Sequence, residues 1–126
     1  MNDWSDAEGH VEKAHEHFEH GRWADAESEL RQALALNPYK PEWHFNLGLT
    51  LEAAGRFGDA IEAFRDCHML DQEDTQVMVL LGVNSLRTGN PADGAVWLDK
   101  AAKVDPQCLE AYVHRIEAFS RLGDHE

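Results

Sequence analysis

A chain of 126 residues is long enough for one domain that buries about two thirds of the surface of its unfolded chain. It carries 24 acidic and 11 basic side chains, a formal net charge of −13, which disfavours nucleic acid and anionic membrane surfaces as partners. The excess of acid either keeps the chain soluble and monomeric or steers a basic partner toward it.

Nothing in the sequence directs the chain across or into a membrane. The acidic amino terminus lacks the apolar stretch of a secretory signal, and no apolar run approaches the roughly 20 residues of a membrane span. The two cysteines, Cys67 and Cys108, are 41 positions apart and form no CxxC pattern. We therefore expect a cytoplasmic protein with reduced thiols.

A period of 34 residues organises the chain. Glycine recurs at this spacing at Gly21, Gly55, Gly89 and Gly123. Four further registers keep the same spacing: Ala14–Gly48–Gly82–Ile116, Ala26–Ala60–Gly94, Leu30–Phe64–Leu98 and Ala33–Cys67–Ala101. A fixed period of this length is typical of a solenoid, in which one helical or stranded unit stacks on its copies.

Each period contains two apolar stripes of helical spacing. Leu47 and Leu51 belong to the first stripe, which ends at Gly55, and Ile61 and Phe64 belong to the second. Intervals of three and four residues predict amphipathic helices. Glycine between them predicts the turn, because a residue without Cβ adopts left-handed conformations readily.

These features resemble the tetratricopeptide repeat, with small residues at repeat positions 8, 20 and 27, glycine at 15 and proline at 32. The resemblance implies an all-α fold, a right-handed α-solenoid of antiparallel helix pairs. It divides the chain into an N-terminal extension over 1–6, repeats over 7–40, 41–74 and 75–108, and a C-terminal helix over 109–126. That helix is either the cap of a small complete protein or the start of a further repeat.

In the resembling family, the first helix of each pair lines a concave surface. Transferred by register, the resemblance gives these candidate partner-binding residues: Phe45, Asn46, Leu49, Glu52, Val79, Val83, Leu86, Arg87 and Val113. The apolar members either form an exposed strip that marks an interaction site or are covered by neighbouring helices through tight curvature. With acidic side chains beside the strip, we expect a noncatalytic interaction module that binds a basic or amphipathic peptide or helix.

Some members of the family hold the terminal carboxylate of a peptide with lysine, asparagine and arginine at set positions. In this chain Asn46 matches, whereas the other positions hold Val11, His15, Gln76 and Leu80. A carboxylate without a cationic partner is costly to desolvate in an apolar, acid-flanked groove. We therefore expect no carboxylate clamp.

Four histidines, His10, His15, His17 and His20, lie in the first predicted helix. Neutral imidazole binds zinc, nickel or copper, but no His-Glu-x-x-His motif or neighbouring cysteine completes a site. We expect polar substitutions in a terminal repeat, with adventitious metal binding as the alternative.

Motifs for catalysis are missing as well: the sequence has no G-x-S-x-G elbow and no phosphate-binding glycine loop. The sequence thus predicts neither an enzyme nor a bound cofactor. Two functions remain as alternatives to partner binding. One is self-association through the apolar surface or the carboxy-terminal end, and the other is a metal response through the histidines.

Overall fold

A computed structural model describes residues 3–123, which form helices and connecting turns only. The seven helices are α1 (Asp3–Glu19), α2 (Trp23–Leu36), α3 (Pro41–Ala53), α4 (Phe57–Leu70), α5 (Thr75–Arg87), α6 (Pro91–Val104) and α7 (Leu109–Gly123). α1 packs on α2, α3 on α4 and α5 on α6, and α7 covers the end of the stack against α6 and α5. The expected all-α solenoid of helix pairs is confirmed.

Both ends of the chain extend past the described helices. α1 begins at Asp3, so the segment 1–6 that the sequence set apart as an extension is already helical from its third residue. α7 reaches Gly123, within the C-terminal helix expected over 109–126. Residues 1–2 and 124–126 lie outside the described part, and the expectations for them stay predictions.

The turns inside the three helix pairs share one geometry. Gly21, Gly55 and Gly89 adopt positive φ angles of 71°, 78° and 81°. After Gly55, the amide of Arg56 donates to the carbonyl oxygen of Leu51 at 2.9 Å, which satisfies a carbonyl at the helix end. The 34-residue glycine register therefore marks turns that a residue with a Cβ would strain.

Helices within a pair cross closely where the repeat places small residues. A Cβ on Gly82 would lie 2.6 Å from Cγ of Leu98, and a Cβ on Gly48 would overlap the ring of Phe64. Leu98 and Phe64 are fully buried, so each fills the space that the missing Cβ leaves. The small residue and the large apolar residue of each repeat are thus two halves of one contact.

The core of the described residues consists of two large clusters and a small third one of Ala7, Ala33 and Trp43. The amino-terminal cluster gathers Leu30, Leu47, Leu51, Phe64 and Leu81, among others. The carboxy-terminal cluster gathers Met78, Leu86, Leu98, Ala111 and Ala118, among others. Trp97 is partly buried and packs against both clusters, so the two are continuous through α6.

Candidate functional site

The first helices of the pairs carry the predicted groove residues, and the apolar ones differ in how far they are buried. Phe45, Leu49 and Val83 are half-buried and pack at the edges of the core clusters. Val79 and Leu86 are only 4% and 3% exposed. The expectation that these two are open to a partner is not met.

Their burial has a packing cause. Val79 and Leu86 belong to the same buried cluster as Leu98 of α6 and Ala118 of α7. Leu86 packs beside Gly94 of α6, where a Cβ would lie 3.2 Å from its Cγ, and alanines on α7 let that helix cover the same cluster. Tight packing between neighbouring helices, the alternative that the sequence left open, applies at this end of the molecule.

The polar members of the predicted groove form a network between α3 and α5. The amide of Asn84 donates from Nδ2 to Glu52 Oε2 at 2.7 Å and to the carbonyl oxygen of Leu80 at 2.8 Å. Arg87 Nη1 lies 3.3 Å from the same oxygen of Glu52. Glu52 and Arg87 therefore partner each other. Asn84, fully buried, was not among the residues predicted from the sequence, although it is a polar residue within an apolar run.

Val113 lies on an exposed apolar row of α7. This α7 face consists of Leu109, Val113, Ile116 and Phe119. Leu109 and Ile116 are 73% and 71% exposed. The buried residues of the helix, Ala111 and Ala118, lie on its opposite side, since they are offset by about half a turn. The helix thus covers α5 and α6 with alanines, Tyr112 and Leu122, and turns the four side chains of the α7 face outward.

A cavity of about 210 Å³ opens between α1 and α3. Its lining is mostly apolar and comprises Val11, Ala14, His15, Phe18, Leu30, Asn46, Leu49 and Thr50. The hydroxyl of Thr50 donates to the carbonyl oxygen of Asn46 at 2.8 Å, so this hydroxyl has no unused donor. His15 and Asn46 are exposed, whereas Phe18 is half-buried with its ring edge against Trp23. We call this space the α1–α3 cavity.

A second cavity, of about 170 Å³, adjoins the first half of α3. It is lined by Pro41, Glu42, Phe45, Asn46, Cys67, Asp71, Asp74 and Gln76. Asp74 caps α5 by accepting from the amides of Gln76 and Val77 at 3.0 and 3.4 Å. We call this space the α3–α5 cavity, and Asn46 is the residue that lines both cavities.

The thiol of Cys67 responds to the charge around the α3–α5 cavity. Burial, together with the carboxylates of Asp74, Asp71 and Glu42, raises the pKa of Cys67 to about 11. The thiol stays protonated at neutral pH and is a poor nucleophile. The three carboxylates give this cavity a negative potential.

Comparison with known proteins identifies the repeat. The family model described as tetratricopeptide repeat matches residues 11–66. The segment 11–66 therefore consists of tetratricopeptide repeats. A stretch of 80 residues of this chain is 32% identical to the BBSome complex member bbs-4 of Caenorhabditis elegans. That match covers 64% of this chain, which spans 17% of the length of the relative.

Solved structures share the fold at low sequence identity. The first TPR domain of Spaghetti (RPAP3), bound to the HSP90 peptide SRMEEVD, matches with a TM-score of 0.86 and 16% identity over 95% of both chains. The Arabidopsis OM64 TPR domain matches with a TM-score of 0.83 and 16% identity, over 93% of this chain and 97% of that one. Such likeness establishes the arrangement of the helices in this chain.

The carboxylate-clamp positions of this chain lie at the two cavities. Val11 and His15 line the α1–α3 cavity, Gln76 lines the α3–α5 cavity, and Asn46 lines both. Leu80 is half-buried against the amino-terminal core cluster. Neither lining includes a lysine or an arginine.

Three of the four histidines in and just after α1 have separate partners, whereas the buried Nδ1 of His17 has none. His10 Nδ1 lies 2.5 Å from Glu29 Oε2, and His15 Nε2 lies 2.9 Å from Glu19 Oε1. His20 Nδ1 lies 2.9 Å from the carbonyl oxygen of Glu16, one turn earlier in the same helix. Within residues 3–123, no three side chains of the metal-binding types are grouped for an ion, and no helix is long and apolar enough to cross a membrane.

Proposed function

We propose that this chain is a noncatalytic, cytoplasmic interaction module that binds a segment of a partner protein on its concave face. The observation that carries the proposal is the α1–α3 cavity, an apolar recess that opens between two first helices. An apolar recess with a few polar groups at its rim is the usual form of a binding site. The peptide-bound TPR domain of Spaghetti supports the same use of the fold.

The chemistry of the groove argues against an acidic peptide terminus. The peptide in the Spaghetti complex, SRMEEVD, has three acidic residues and one basic residue. Here no lysine or arginine occupies the corresponding positions, and Glu42, Asp71 and Asp74 lie close by. A terminal carboxylate would lose its hydration without gaining a cation, so the proposed partner segment is neutral or basic.

Replacement of Asn46 tests the proposal. The side chain is exposed and lines both cavities, so Asn46→Arg fills their shared entrance while α3 keeps a good helix former. We expect partners captured by the wild-type chain from native lysate, and identified by mass spectrometry, to be lost. Glu62→Arg on the exposed side of α4 is the matched control. Retention by Asn46→Arg at wild-type strength would contradict binding on the concave face.

Self-association is the second candidate function, and the α7 face favours it. Leu109, Val113, Ile116 and Phe119 form an exposed apolar row that a second copy of the chain would cover. Sedimentation across a concentration series would show a dimer that the exposed change Ile116→Lys returns to a monomer. A wild-type chain that stays monomeric at every concentration would exclude this candidate.

A further inference from the structure

The two cavities differ in character although one side chain joins them. The α1–α3 cavity is walled by aliphatic and aromatic side chains, chiefly Val11, Phe18 and Leu49. The α3–α5 cavity brings together the carboxylates of Glu42, Asp71 and Asp74. Asn46 stands between an apolar recess and an acidic one, and a ligand that crosses α3 at this residue meets both.

The size of the α1–α3 cavity limits what enters it. At about 30 Å³ for each water, a volume of about 210 Å³ equals roughly seven waters. Sites for whole small molecules are larger, at about 300–1,000 Å³. The cavity therefore suits a single aliphatic or aromatic side chain that projects from a larger partner.

The polar group at the boundary favours an extended partner over a helical one. The carboxamide of Asn46 offers donors and an acceptor, and an extended backbone has free N–H and C=O groups to match them. The backbone of a helix is already hydrogen-bonded internally, so it would leave Asn46 without that pairing. Extended chains also project successive side chains in different directions, which suits two recesses on either side of one residue.

We propose, on the basis of the proposed function, that the partner segment is an extended peptide with an apolar anchor and a neighbouring lysine or arginine. The anchor side chain occupies the α1–α3 cavity, and the basic side chain lies in the α3–α5 cavity against Glu42, Asp71 and Asp74. Asn46 pairs with the peptide backbone between them. The acidic net charge of the chain speeds the approach of such a basic segment.

Selection from a random library of displayed twelve-residue peptides tests the motif and does not require the partner to be identified. The full chain is the bait, and the Asn46→Arg variant is used to discard peptides that bind elsewhere. We expect enriched peptides to carry an aliphatic or aromatic residue and a lysine or arginine at one fixed spacing. No enrichment, or enrichment without a basic residue, overturns the inference.

A selected peptide, synthesised with acetylated and amidated ends, then gives the size of each contribution by calorimetry. Alanine in place of the anchor should weaken binding by about tenfold to a hundredfold, the value of burying one large apolar side chain. Glutamine in place of the basic residue should weaken it by about twofold to fivefold, as for a partly exposed ion pair.

Matched charge variants of the protein locate the basic residue. Glu42→Gln with Asp71→Asn removes two exposed carboxylates of the α3–α5 cavity and leaves the cap at Asp74 in place. Glu62→Gln with Asp66→Asn removes the same charge from exposed positions on α4. We expect the first double variant to bind the selected peptide twofold to fivefold more weakly and the second to bind it as the wild type does. The peptide with glutamine in place of its basic residue should bind the first double variant no more weakly than the unchanged peptide does.

The outcomes separate this inference from the proposed function. If the two charge variants behave alike, or if the bound peptide is helical by circular dichroism, the inference fails. The concave site still stands in that case, provided that Asn46→Arg abolishes binding. If Asn46→Arg binds selected peptides as the wild type does, the proposed function fails and this inference fails with it.

Discussion

The amino-terminal and carboxy-terminal halves of the solenoid use the same repeat positions with opposite results. Between α1 and α3, the concave positions leave an open cavity lined by Val11 and Phe18. Between α5 and α7, the equivalent side chains of Val79 and Leu86 are buried. The register determines which way a side chain faces, whereas the side chains on the next helix decide whether it stays accessible.

The residues of the covering helix explain the difference. α7 presents the small side chains of Ala111 and Ala118 to its neighbours, and both are fully buried. At the other end, α3 faces α1 with Asn46 and Leu49, and the side chain of Phe18 stays half-buried beside the cavity. A recess of about 450 Å³ also lies between α5 and α7, bordered by Val79 and Leu109, so the two ends differ in how deeply their concave side chains are buried.

Truncation of one leucine in each half gives the largest expected contrast. Leu98→Ala should lower the free energy of unfolding by about 2–5 kcal/mol, because Leu98 is fully buried and fills the space beside Gly82. Leu49→Ala, at the wall of the existing cavity, should cost less than about 1.5 kcal/mol. Urea denaturation measures both changes. Equal losses would mean that the two halves are packed alike.

Adding a methyl group at the helix crossing should have the next largest effect. The new Cβ of Gly82→Ala lies 2.6 Å from Leu98 Cγ, so we expect a loss of about 1–3 kcal/mol in unfolding free energy. Gly58→Ala is the control, since Gly58 lies in α4 with open space around it. There alanine should stabilise by about 0.5–1 kcal/mol through helix propensity. The prediction fails if both variants shift the urea midpoint in one direction.

Loss of the polar contact between α3 and α5 should cost about 1 kcal/mol. Glu52→Ala leaves the buried amide of Asn84 with the Leu80 carbonyl as its remaining partner, so one hydrogen bond is lost. Glu62→Ala on the exposed side of α4 should change the unfolding free energy by less than about 0.5 kcal/mol. Chemical denaturation of the two variants compares them, and an identical midpoint would show that the network adds no stability.

A small dependence of stability on pH should arise at His68, in the last turn of α4. Burial lowers the pKa of His68, with Lys100 adding to the shift, and the ring lies edge-on to Trp97 at 4.9 Å. The neutral ring therefore stabilises the fold above about pH 6.5, and this contribution is lost as the pH falls through the lowered pKa.

The measurement compares melting temperatures near neutral pH and near pH 5. His68→Phe keeps an aromatic edge against Trp97 but has no proton to gain, so it should lose less stability on acidification than the wild type. The same drop in both proteins would rule out His68 as a source of the pH dependence.

The sequence predicted the structure well at positions where the backbone geometry allows only one type of residue. Glycine at positive φ and small residues at helix crossings repeat every 34 residues, and they predicted the turns and the pairing of the helices. The burial of Val79 and Leu86 was not predictable in this way, because it depends on how closely α6 and α7 approach α5. The two cavities likewise arise from the relative sizes of side chains on neighbouring helices.

The packing of each helix chiefly on the next one has a consequence for how the chain folds. Apart from the contact between α5 and α7, the main contacts in the described residues join helices that are adjacent in sequence. Chains dominated by such local contacts fold in microseconds to milliseconds, and folding of a repeat array starts in any unit and spreads to its neighbours. During synthesis, the amino-terminal pairs can therefore close around Leu30 and Phe64 while the last helices are still on the ribosome.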